Sequence, residues 1–163
     1  MGEYWWVFLA AALFLGGLIL IWRPIRSTLR EIRFAEACRD FHRQRERLEA
    51  KFVHLGMATA KPDHPRWGDC DFDNDVTYAR NRQTGELTAF VAVTIEIEHS
   101  GGDGIPIGSD VIGNLRAATA VFRLDGDRWE TDGRAIFNLS PAEAIRFYHR
   151  DLELVGQELA GRS

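Results

Sequence analysis

The chain has 163 residues, a net charge of −4 and 45% hydrophobic residues, enough for a hydrophobic segment and one domain with a single core. Charge is unevenly placed: residues 23–51 carry nine basic and five acidic side chains, net +4, whereas residues 52–163 carry eleven and eighteen, net −7. An acidic domain argues against nucleic-acid binding, which needs a basic face, and two cysteines do not make a disulfide framework.

The first element is the run from Trp5 to Trp22, WWVFLAAALFLGGLILIW, eighteen residues without a charge. As a helix it spans roughly 27 Å, close to the hydrocarbon thickness of a bilayer. Trp5, Trp6 and Trp22 stand where aromatic rings suit the two interfaces, and Arg23, Arg26, Arg30 and Arg33 follow. A cleaved signal peptide would carry its basic residues first and a small-x-small site afterwards, and this run has neither. The predicted element is a transmembrane helix. By the positive-inside rule its N-terminus lies outside and the Arg flank, with the domain, stays in the cytoplasm. Cys38 and Cys70, read as free thiols, suit a reducing compartment.

From Ser27 to Met57 the composition predicts one long amphipathic helix. Phe34, Cys38, Phe41, Arg45, Leu48, Phe52 and Leu55 recur at alternating spacings of four and three, with Arg45 the one interruption. Such a stripe either packs on the domain's own sheet or joins two protomers through residues 34–55 as a coiled coil. Gly56 and Lys61-Pro62-Asp63-His64-Pro65 end the helix.

Four strands are predicted next: Trp67–Arg80, Glu86–His99, Ile112–Leu124 and Arg128–Phe137. Turns stand at Asn81–Gly85 and Asp125-Gly126-Asp127, and a glycine-rich loop at Ser100–Asp110. Leu87, Ala89, Val91, Val93, Ile95 and Ile97 alternate onto one face of the second strand, with Thr94, Glu96 and Glu98 on the other. Ser140-Pro141-Ala142-Glu143 supplies an N-cap, a first-turn proline and a capping-box acid. The stripe Ile145, Tyr148, Leu152, Val155 and Leu159 extends the predicted helix to the C-terminus. The expected fold is α+β: an N-terminal transmembrane helix, a long helix packed on a four-stranded antiparallel sheet in cystatin/NTF2-like element order, and a C-terminal helix. The divisions are 1–26 for the anchor, 27–60 for the connecting helix, and 61–163 for sheet and last helix, which with 27–60 make one domain.

Four stretches bring a family resemblance: Trp67-x2-Cys70-Asp71-Phe72-Asp73; Tyr78-Ala79-Arg80 with Thr84-Gly85-Glu86-Leu87; Gly113 to Phe122; and Trp129-x-Thr131-x-Gly133-Arg134-Ala135. Together they resemble an uncharacterised family of small membrane-anchored bacterial proteins, mostly of planctomycetes. The resemblance runs from the connecting helix to Pro141-Ala142-Glu143-Ala144-Ile145. It implies a stand-alone domain at a bacterial inner membrane and no catalytic residues.

Candidate chemistry is sparse. Asp69, Asp71, Asp73 and Asp75 alternate, but calcium loops begun at Asp71 or Asp69 lack the sixth-position glycine and the acidic twelfth ligand. On one strand face these carboxylates would repel one another, blunting a sheet edge, drawing a cation or meeting a partner's cations. Cys38 and His42 stand one helical turn apart without a second ligand pair. The Gly101–Gly104 loop has no phosphate-loop lysine, and Ser109 has no nucleophile-elbow context. No cofactor is implied. If the sheet curls into a cone, Trp67, Asp71, Tyr78, His99, Arg116 and Arg134 are the residues placed to line it, with Asp71 and His99 an acid–base pair. Two functions follow. One is a membrane-tethered, non-catalytic interaction module with the lipid bilayer and a protein, itself included, as partners. The other is an NTF2-like cone that holds or transforms a small molecule.

Overall fold

The computed structural model describes residues 5–59, 66–98 and 114–160; of the side chains in 5–29, those of Ala10, Ala11, Leu13 and Phe14 are described. The order is α1 (Trp5–Thr59), β1 (Arg66–Asn81), β2 (Leu87–Glu98), β3 (Leu115–Asp125), β4 (Arg128–Glu130), β5 (Ala135–Phe137), α2 (Pro141–Phe147) and β6 (Leu152–Glu158). The chain divides into two units, Met1–His42 and Arg43–Ser163.

In the first unit the backbone is helical from Trp5 onward, so the hydrophobic run and the following segment belong to one α-helix. Leu13 and Phe14 are 70% and 74% exposed, Arg30 is exposed, and Ala37, Cys38 and Phe41 are buried. Among the described residues no helix is long and apolar enough to cross a membrane. Most side chains of the predicted span, with Trp5, Trp6, Trp22, Arg23 and Arg26, lie outside the described residues.

The second unit is α+β, built on a six-stranded antiparallel sheet in the order β4-β3-β2-β1-β6, with β5 also pairing β3. The expected four strands are therefore corrected to six. The first three form the predicted meander. The fourth is broken because Thr131 Oγ1 donates to the Val121 carbonyl and accepts from the Gly133 amide, drawing residues 131–134 out of the ladder. Gly133 sits at φ +76°, and a Cβ there would lie 2.7 Å from Leu55 Cβ, so a side chain has no room.

The predicted C-terminal helix is also corrected. Ser140 caps α2 with the full capping box, yet α2 stops at Phe147, with Tyr148 as C-cap. The Asp151 and Leu152 amides return to the Tyr148 carbonyl, and the chain pairs antiparallel with β1 as β6. Tertiary pairing wins over the helical spacing of Leu152, Val155 and Leu159 because β1 buries Val76, Thr77, Tyr78 and Ala79 in succession. A strand apolar on both faces needs a neighbour on each edge.

Opposed residues in a ladder share a face, which sorts the side chains. Leu87, Ala89, Val91, Val93, Ile95 and Ile97 are all buried, as their alternation requires, and share a face with Phe72, Tyr78, Ala118, Ala120 and Phe122. The Arg43–Thr59 part of α1 covers this face. Phe52 is fully buried, with ring centroids 5.5 Å from Trp67, 5.7 Å from Phe72 and 6.0 Å from Phe122. Gly56 permits the close approach, since a Cβ there would fall 2.1 Å from the Trp67 ring. The Arg45 interruption is functional to the packing: its guanidinium donates to the Asp73 and Asn74 carbonyls and pairs with Glu49 at 2.6 Å. On the other face, Ala79, Phe90, Val121 and Ile145 form a smaller core with Ile136 and Leu152 packed against it.

Candidate functional site

Among the described residues two clefts lie beside α2, because a helix of seven residues is too short to cover its side of the sheet. The larger, about 810 Å³, has small residues for its floor: Ala92 and Thr94 of β2 and Ala117 of β3. One wall is Asp71–Asn74, where β1 bulges against β2 between Phe72 and Val76. The other is Asn138–Ser140 with Glu143. Asn138 takes a left-handed conformation at φ 60°, turning the chain from β5 into the cap of α2. Three carboxylates, Asp71, Asp73 and Glu143, thus rim an open groove. The Ser140 backbone amide and hydroxyl donate to the Glu143 carboxylate and hold its pKa below the usual range, Arg146 adding to the effect. The groove therefore presents negative charge at neutral pH.

The smaller cleft, about 330 Å³, lies beyond α2 over Phe90, Val121, Ile136 and Leu152. Its mouth carries Arg123, Arg134, Glu86, Asp151 and Tyr148. Arg123 is tied to Asp132 at 2.8 Å, and the two are about half exposed. An apolar floor beneath charges of both signs offers room for a small amphiphilic molecule.

The predicted cone residues that are described do not meet. Trp67 is half-buried on the α1 side, stacked on Phe52 and 6.2 Å from the Phe137 ring. Tyr78 is buried there too, its hydroxyl donating to Glu158 Oε2 at 3.1 Å and its ring 6.3 Å from Trp129. Asp71 lines the acidic groove, Arg134 the mouth of the other cleft, and Arg116 is exposed opposite Ile95. His99 lies outside the described residues, as do the glycine loop and Ser109. Of the aspartate series, Asp71 stands opposite Thr94 and lines the same groove as Asp73. Asp75 Oδ1 instead accepts from the Ala160 amide at 2.7 Å and fixes the chain leaving β6. Among the described residues no three His, Cys, Asp or Glu side chains are grouped to hold a metal. Half-burial, reinforced by Asp69, lifts the Cys70 thiol from 9.0 to about 11, which makes it a poor nucleophile.

Asn138, Ser140 and Glu143 were not readable as site residues. Their capping box locates a helix start, but nothing in the sequence sets that start over Ala92 and Ala117. No protein-family model, curated protein or solved structure matches the chain.

Proposed function

We propose that this chain is a membrane-tethered protein-interaction module without catalytic activity. Trp5–Trp22 is the anchor and the flank from Arg23 to Arg33 docks on lipid head groups. The domain then faces the cytoplasm from a bacterial inner membrane, in keeping with the resemblance to small anchored bacterial proteins. The α2 side of the sheet receives a protein and no nucleic acid. One observation carries the reading: the layer where an NTF2-like cone would lie is filled by Phe52, Tyr78, Phe122 and Trp129, all fully buried. The opposite face leaves an open acidic groove, and Phe147 and Leu154 stand 69% and 58% exposed.

The test is photo-cross-linking in membranes from a photoreactive residue at Thr94 in the groove floor. A discrete protein adduct, absent when the residue is placed at exposed Gln83, is expected. A second reading has the smaller cleft hold a small molecule between its apolar floor and Arg134. A saturating metabolite at about 100 times its dissociation constant would add roughly 2.7 kcal/mol to stability. That shift, with no adduct, would replace the first reading with the second.

A further inference from the structure

Among the described residues β6 is an end strand of the sheet, and it differs from the opposite margin. There the outer strands β4 and β5 have three residues each, too short to template a long added strand. β6 has seven residues, paired with β1 on one side, and its exit is held by the bond from Ala160 to Asp75. Its register with β1 skips one residue at Val155, so its side chains change phase. Leu152, Leu154 and Gln157 face the α2 side, while Glu153, Gly156 and Glu158 face the α1 side.

We infer that β6 is a docking edge for an extended segment of another protein, apolar on one face and Lys/Arg-bearing on the other. The inference rests on the interaction-module reading and names the partner's chemistry. Main-chain hydrogen bonds to the sheet edge would give affinity, and alternate side chains specificity. On the α2 face the added strand would lie beside Leu154, 58% exposed. On the α1 face it would meet the carboxylates of Glu153 and Glu158. Glu153 holds only a long, exposed ion pair to Arg82 at 3.8 Å, and Glu158 accepts from Tyr78.

A second copy of this chain fits the edge worse. Because of the phase change, only two antiparallel two-fold registers keep both faces aligned over most of β6. One sets Glu153 opposite Glu158, and the other sets Asp151 opposite Glu158. Like charges directly opposed on a ladder destabilise the pairing, and the net −7 of residues 52–163 opposes self-association further.

Hydrogen exchange on the full chain in detergent micelles tests this, with a blocked octapeptide of alternating valine and lysine as probe. At about ten times its dissociation constant the peptide should slow exchange across residues 152–158 about tenfold. A peptide of the same composition in two blocks, and an alternating valine–glutamate peptide, should not. Glu153→Gln should weaken the effect several-fold while leaving exchange of the free protein unchanged. Protection confined to residues 71–74 and 138–143 would overturn the edge inference and leave the interaction module standing. Protection of β6 that rises with protein concentration alone would overturn it in favour of self-pairing. No protection by any peptide would also overturn it.

Discussion

Arg45 shows how one side chain can look like an error in a pattern and be part of its logic. It interrupts an apolar stripe, yet its guanidinium reaches two carbonyls that the β1 bulge removes from the ladder, Asp73 O and Asn74 O. Both bonds are exposed and water can take the place of the guanidinium, so Arg45→Ala should destabilise the domain by only about 0.5–1.5 kcal/mol in urea unfolding. Lysine should restore little, since it lacks the fork that serves both oxygens. Cys70 gives a pH signature. Its folded thiol is held protonated at about 11 against 9.0, so its contribution to stability is complete below pH 9 and lost as pH rises towards 11. Wild type should therefore lose stability over that window faster than Cys70→Ala. Equal slopes for the two would remove the thiol from the account.

At the scale of elements, periodicity read well wherever apolar residues repeated along one face. The alternation of Leu87 to Ile97 and the stripe through Leu48, Phe52 and Leu55 both coincide with burial in the structure. The half of the stripe in the second unit is spent on the chain's own sheet, so a coiled coil through residues 34–55 would have to leave that half out. Spacing misled where seven residues suit either periodicity. In Leu152–Glu158 the helical positions are also a plausible strand, and the deciding fact, a free edge on β1, is tertiary. A signal did exist in Val76-Thr77-Tyr78-Ala79, whose unbroken burial marks an interior strand. The capping box was fully legible. Replacing Ser140 by alanine removes the acceptor for the Glu143 amide and should cost about 1 kcal/mol. The lowered pKa of Glu143 means its share of stability is present above the usual carboxylate range and lost as pH falls through the depressed value. Acid titration of wild type against Ser140→Ala should show the difference shrinking at low pH.

For the whole molecule, the sequence separates a hydrophobic, Arg-flanked N-terminal helix from an acidic α+β unit, and the structure gives that unit two differently used faces. The α1 side is closed by aromatic side chains, while among the described residues the α2 side keeps an open groove and β6 is an end strand. The site was less legible than the fold because its groove depends on what small side chains fail to fill, at Ala92, Thr94 and Ala117, and on a bulge that moves Asp71 and Asp73. Neither follows from residue spacing. Everything proposed for this chain depends on the tether, and alkaline extraction of membranes followed by fractionation tests it most directly. Wild-type chain should stay with the membrane pellet. Leu15→Arg, which adds about 2.5–3.5 kcal/mol to the cost of insertion, should move it to the supernatant. Wild type found in the supernatant, or Leu15→Arg retained as firmly as wild type, would contradict the account.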